Sequence, residues 1–263
     1  MTLVYERRGS GSPLVLLHGI GHRWQAWEPV IDRLAEFHDV IAVDLPGFGK
    51  SPLPASGPLA DMDALVTEVA RWLVDELGVE RPHVAGNSLG GAVALELAKA
   101  DLVASATAFA PAGFFRGWEI RWALAALWSL RLATHLPEPL LKLSANVPAL
   151  RALSFGLLVA RPSRLTPEAA LGDAFALRDA PAFHSVAKAG ARYEFHGRPR
   201  TPVTVAWGTR DRILLPRQAG RAAQRLPAAR HVTLPGCGHV PMSDAPGLVT
   251  STILATTTHA ARL

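Results

Sequence analysis

Two kinds of hydrophobic pattern alternate along the chain. At 14–17 (Leu-Val-Leu-Leu) and 40–43 (Val-Ile-Ala-Val) every position is apolar, and turn residues bound the first run. Short continuous runs of this kind suit strands buried on both faces. Between them Trp24, Trp27, Val30, Ile31, Leu34 and Phe37 recur at helical spacing, and Leu65, Val66, Val69, Leu73 and Leu77 repeat the pattern further on. A third strand is expected at 83–86, a helix entered through glycines at 92–100, and a fourth strand at 104–110. This alternation predicts a parallel sheet covered by helices on both faces.

The alternation stops at Pro111-Ala-Gly. From 114 to about 200 the text is helical, broken by prolines and rich in Trp, Leu, Ala and Arg. A strand is expected again at 202–208, a helix at 217–226, a strand at 230–234 and a last helix at 248–258. The pattern predicts one α/β core formed by 1–111 and 201–263, interrupted by a helical cap at 112–200, a size compatible with a small domain.

Composition narrows the class. The chain has 263 residues, 49% hydrophobic and 19% charged, with one cysteine. That is ample for a large core and excludes a disordered chain, a disulfide framework and a cysteine-based zinc module. No apolar run approaches a membrane span, the longest tempting stretch being 122–130. The first residues lack a signal-peptide layout, so a cytoplasmic protein is expected. The net charge is +5, but 112–200 holds 12 basic and 6 acidic residues, so the cap carries the whole excess. The plain reading is a solvated arginine-rich face; anionic lipid, nucleic acid or an acidic substrate are the alternatives.

The candidate chemistry lies at the carboxyl ends of the expected strands. Gly-Asn-Ser-Leu-Gly-Gly at 86–91 matches Gly-x-Ser-x-Gly between a strand and a helix. A turn that short forces Ser88 into a strained conformation and exposes its hydroxyl. Serine needs a base, and the base needs an acid to orient it. Asp211 follows the strand at 202–208, and His239 sits in a glycine-flanked loop after the last strand, in the order Ser, Asp, His expected when the serine sits on a strand–turn–helix elbow. Two backbone N–H donors should hold an oxyanion, those of Leu89 and Ile20. His18 is expected to pack beside that loop. Gly-Lys-Ser at 49–51 has Asp44 where a phosphate-binding loop needs glycine, Gly19-Ile-Gly21 lacks the third glycine of a dinucleotide fingerprint, and Cys237 has no partner cluster for a metal. No cofactor or metal is expected.

Together His18-Gly19, Asp-Leu-Pro-Gly-Phe-Gly-Lys-Ser at 44–51, the 86–91 elbow, Gly-Thr-Arg-Asp at 208–211 and Gly-Cys-Gly-His-Val-Pro at 236–241 resemble the α/β-hydrolase fold family. The resemblance spans both core segments but not the cap. It implies a mostly parallel sheet of about eight strands with a helical cap after the sixth, and Ser88 as nucleophile, His239 as base and Asp211 as orienter. The chain starts so near the first apolar strand that the antiparallel edge strand is expected to be missing or very short.

Related haloalkane dehalogenases and epoxide hydrolases carry aspartate at the position of Ser88, which argues against those reactions. Cofactor-free haloperoxidases usually have an aromatic residue where Ile20 stands. Carbon–carbon bond hydrolases of the meta-cleavage type share the elbow but commonly place tryptophan after the histidine, where this chain has Val240. Hydrolysis of a carboxylic ester, lactone or thioester of a small, largely apolar substrate is therefore expected, with carbon–carbon cleavage and a ligand-binding receptor on the same fold as alternatives. Trp118 and Trp122, with Phe114, Phe115 and Trp128, are candidates to line the substrate pocket, or else to form the cap's own core. No nucleic-acid partner is expected, and the oligomeric state is open.

Overall fold

The computed structural model describes residues 2–262. Its strands are β1 (Tyr5–Arg8), β2 (Ser12–Leu17), β3 (His38–Val43), β4 (His83–Asn87), β5 (Ser105–Phe109), β6 (Val203–Gly208) and β7 (Arg230–Leu234). They form one seven-stranded sheet in the order β1-β3-β2-β4-β5-β6-β7. All pairings are parallel except β1 on β3, with Tyr5 opposite Val43 and Arg8 opposite Val40. The antiparallel edge thus exists as a single four-residue strand. Seven strands rather than about eight follow from it, and the helical insertion comes after the fifth strand rather than the sixth.

Helices α1 (Glu28–Ala35), α2 (Met62–Arg71) and α3 (Leu89–Lys99) connect the first strands; α9 (Arg217–Arg225), α10 (Pro241–Asp244) and α11 (Pro246–Ala260) complete the core after the insertion. Side chains alternate between two apolar clusters. Val15, Leu17, Ile41 and Val43 face the layer of α2 and α3, whereas Leu14, Leu16, Val40 and Ala42 face that of α1 and α11. Burial on both faces is why the strands read as unbroken apolar runs. The helix expected to reach Phe37 instead ends at Ala35, and Phe37, in the turn into β3, is 59% exposed.

Between β5 and β6 run α4 (Trp118–Ala133), α5 (Glu138–Asn146), α6 (Pro148–Phe155), α7 (Pro167–Asp179) and α8 (Phe183–Gly190). Helix α9 ties both ends of this insertion to the sheet through arginines spaced four apart, which share one helix face. Arg217 and Arg221 both pair with the buried Glu119, Arg217 at 2.5 Å. Arg221 also donates to the Phe114 carbonyl at 2.7 Å, and Arg225 donates to the Gly113 carbonyl and to Glu194, both at 3.1 Å.

Candidate active site

Strand β4 ends at Asn87 and α3 begins at Leu89, leaving Ser88 to make the whole turn at φ 55° and ψ −110°. Few non-glycine residues occupy such a conformation, because it brings Cβ against the backbone. Neighbouring bonds hold it: the Ser88 N–H donates to the Phe109 carbonyl at 2.9 Å, and the Ser88 carbonyl accepts from Ala92 and Ala112. The flanking glycines are required by close approach. A Cβ on Gly86 would lie 2.0 Å from the Gly90 carbonyl oxygen, and one on Gly90 would lie 2.2 Å from that of Leu17. The serine therefore stands at the amino end of α3, where unpaired N–H groups create positive potential.

The loops after β6 and β7 bring Asp211 and His239 together. His239 Nδ1 lies 2.8 Å from Asp211 Oδ2, and both side chains are buried. The other carboxylate oxygen, Oδ1, accepts the main-chain N–H groups of Ile213 and Leu214 at 2.9 Å each. Asp211 is thereby fixed with both oxygens engaged.

Two residues that the sequence reading did not assign complete the frame. Asn87 Nδ2 donates to the His239 carbonyl at 2.9 Å and to the Phe109 carbonyl at 3.2 Å. The buried Asp244 accepts from the N–H groups of Gly238 (2.7 Å), Ala160 (2.9 Å) and Arg161 (2.7 Å). With Val240 donating to the Leu158 carbonyl, these bonds fasten the histidine loop to the segment after α6. Only the elbow motif around Asn87 marks it in sequence; Asp244 has no comparable signal, since two of its partners are backbone groups more than 80 residues away.

The loop after β2 passes against the serine, for a Cβ on Gly19 would lie 3.4 Å from Ser88 Cβ. His18 braces this loop, as expected. Its Nε2 accepts from the Leu45 N–H at 2.9 Å and its Nδ1 donates to the Gly19 carbonyl at 2.7 Å. Complete burial pushes its pKa down to about 3, which keeps the ring neutral. Asp44 fixes the facing loop by accepting from Trp24 and Lys50 main-chain N–H groups.

Ser88, Asn87 and His239 open into one cavity of about 380 Å³, which Ile20 also lines. Its insertion wall is leucine-rich: Leu127 and Leu130 from α4, Leu136 after it, Leu141 from α5, and Leu153 and Leu158. Trp118 and Trp122 do not line it. They sit on the first turns of α4, whereas the cavity is walled by its last turns. Arg217 stacks over the Trp118 ring at 4.6 Å, and Trp122 Nε1 donates to the Arg212 carbonyl at 2.8 Å. Phe114 and Phe115 are buried in the core, and Trp128 packs edge-on against Phe183. Among the described residues no three His, Cys, Asp or Glu side chains converge as metal ligands.

Residues 14–252 match the alpha/beta hydrolase family. The chain belongs to that family. An uncharacterised protein of Mycobacterium tuberculosis is 31% identical over 264 residues, covering 90% of this chain and 73% of the relative. A soluble epoxide hydrolase of Corynebacterium sp. is 46% identical over 94 residues, 36% of this chain and 32% of that protein, so the chain spans only about a third of that relative's length. Among solved structures, a thermophilic esterase from Thermogutta terrifontis superposes with a TM-score of 0.75 at 22% identity, over 98% of this chain and 93% of that one. At that identity the likeness is one of fold. This alpha/beta hydrolase has no described helix long and apolar enough to cross a membrane.

Proposed function

We propose that this hydrolase cleaves a carboxylic ester, lactone or thioester of a small, largely apolar substrate through an acyl-enzyme. The observation that carries this reading is the strained Ser88 sharing one apolar cavity with a histidine whose Nδ1 is held by a buried carboxylate. Ser88 Oγ attacks the substrate carbonyl carbon while His239 Nε2 takes its proton. Asp211 fixes the tautomer by accepting the Nδ1 proton and stabilises the imidazolium that forms. His239 then returns the proton to the departing oxygen or sulfur, and water repeats the sequence to release the acid. The N–H groups of Ile20 and Leu89 receive the oxyanion; Leu89 suits the role as the first residue of α3, where the N–H has no intrahelical acceptor.

The five inserted helices, within 112–200, serve in this reading as a cap over the core formed by 1–111 and 201–263. Their leucines select an apolar acyl group, and the cavity volume lies at the small end of the range usual for ligand sites. A serine at position 88, in place of the aspartate associated with epoxide opening, favours acyl transfer over the reaction named for the Corynebacterium relative.

Hydrolysis of p-nitrophenyl esters of increasing acyl length, by the wild type and folded Ser88→Ala, tests the proposal. Turnover that falls by about 10⁶-fold in the variant supports it. A folded wild type that binds esters tightly without turning them over contradicts it and favours a receptor.

A further inference from the structure

Of the fifteen large hydrophobic side chains left exposed among the described residues, ten lie within 118–153, on α4, α5, α6 and the turns joining them. Leu132 and Leu153 are 74% and 80% exposed. Spacing of three residues puts Leu140 and Leu143 on one face of α5, and Leu150 and Leu153 on one face of α6. Isolated apolar side chains are ordinary on a protein surface, but a concentration of this kind marks an interaction site.

Two features say what covers it. First, Leu136 and Leu153 belong both to the exposed face and to the wall of the cavity holding Ser88, so the outer apolar surface continues into the site. Second, the same insertion holds twelve basic and six acidic residues. Three of these acids are taken up by arginines outside the insertion, Glu119 by Arg217 and Arg221, Asp173 by Arg23 and Glu194 by Arg225, so they do not offset the insertion's own cations. Exposed Trp118 and Trp122 flank Arg121 on the first turns of α4. Leucine, tryptophan and arginine on neighbouring surface helices are the composition of an interfacial membrane contact, apolar groups entering the acyl boundary and cations meeting anionic headgroups. A second copy would bring one positively charged insertion against another and would cover the leucines at the cavity wall.

We propose that α4, α5 and α6 seat this protein on the surface of an anionic phospholipid bilayer, with the cavity open toward the lipid. The binding does not depend on the chemistry assigned to Ser88, so it is measured with the folded Ser88→Ala protein. The probe is vesicles of phosphatidylcholine and phosphatidylglycerol (70:30), with pure phosphatidylcholine as reference, in low and high salt. Expected is co-flotation with the anionic vesicles that weakens at least ten-fold in high salt. It should fall as much when Leu132, Leu140, Leu143 and Leu150, none of which lines the cavity, are all changed to Ser. Arg121→Glu, a surface change independent of the apolar set, should also weaken it. With Ser88 restored, the leucine variant should hydrolyse a water-soluble ester at the wild-type rate. Failure of the folded protein to bind anionic vesicles, or equal binding by the leucine variant, overturns the proposal. So does a dimer seen by sedimentation that the same substitutions dissolve, which makes the face a self-interface.

Discussion

The side-chain amide of Asn87 donates to the main-chain carbonyl of His239 at 2.9 Å, joining the residue before the candidate nucleophile to the candidate base. The second proton of the same amide reaches the Phe109 carbonyl on β5. One buried side chain therefore ties the ends of β4 and β5 to the histidine loop that follows β7. Its conformation and that of Ser88 are adjacent links in one chain, so a shift in either moves the serine relative to the imidazole.

Replacing Asn87 tests that link. Asn87→Asp would put a carboxylate against two carbonyl oxygens, and Asn87→Ala would leave both carbonyls without their donor. Each should cost about 1–3 kcal/mol of stability. In the proposed mechanism kcat falls further than KM rises, because binding groups remain while the serine and histidine lose registration. Ester kinetics on protein verified as folded give the split.

Asp244 is expected to be the stronger structural residue. Asp244→Ala removes the acceptor from three main-chain N–H groups, two of them in the insertion and one beside His239. Leaving buried donors unpaired costs about 1–3 kcal/mol each, so a loss of roughly 3 kcal/mol or more is expected in urea unfolding. Protease cleavage within 156–166 should rise at the same time, because those bonds fasten that segment.

Acid should destabilise the fold through histidines that the mechanism does not use. Burial lowers the pKa of His18 to about 3, that of His83 to about 4, and that of His38 in direction; repulsion from His38 adds to the effect on His83. The folded protein keeps these rings neutral while the unfolded chain takes up protons below about 6.5. Their contribution is fully present above that pH and drains away as pH falls toward 4, by up to about 1.4 kcal/mol per pH unit for each ring. Asp44 acts in the opposite sense, since burial raises its carboxyl. Urea midpoints should therefore drop between pH 7 and pH 5, and His83→Gln should flatten the slope.

Cys237 should be a silent thiol. It is buried, and burial together with the Asp244 charge raises its pKa to about 11. Thiolate is the reactive form, so a disulfide reagent at pH 8 should label the native protein slowly and the unfolded protein stoichiometrically. Fast labelling of the native protein would show that the loop before His239 opens.

The strands and the elbow were legible because their constraints are local. A strand buried on both faces is largely apolar, as the runs at 14–17 and 40–43 are, and so short a turn at Ser88 must have glycine at 86 and 90. The edge strand, expected to be missing or very short, is four residues long, Tyr5–Arg8; its position left no trace because an edge is half solvated and Tyr-Glu-Arg-Arg carries no apolar run. The cavity wall was misread for a related reason. Helical spacing identifies which residues of α4 share a face, but not which of its turns meets the site, and the leucines of the last turns line it where the tryptophans of the first turns were expected. Asn87 and Asp244 were missed because polar side chains that bind distant backbone leave no periodic trace.

Covalent capture tests whether Ser88 is an activated nucleophile. Intact-mass and peptide analysis after treatment with a fluorophosphonate should find one adduct, on Ser88, absent from Ser88→Ala and formed far more slowly by His239→Gln. A folded wild type that stays unmodified, or one that carries the adduct on another residue, would contradict the assignment of Ser88 as nucleophile.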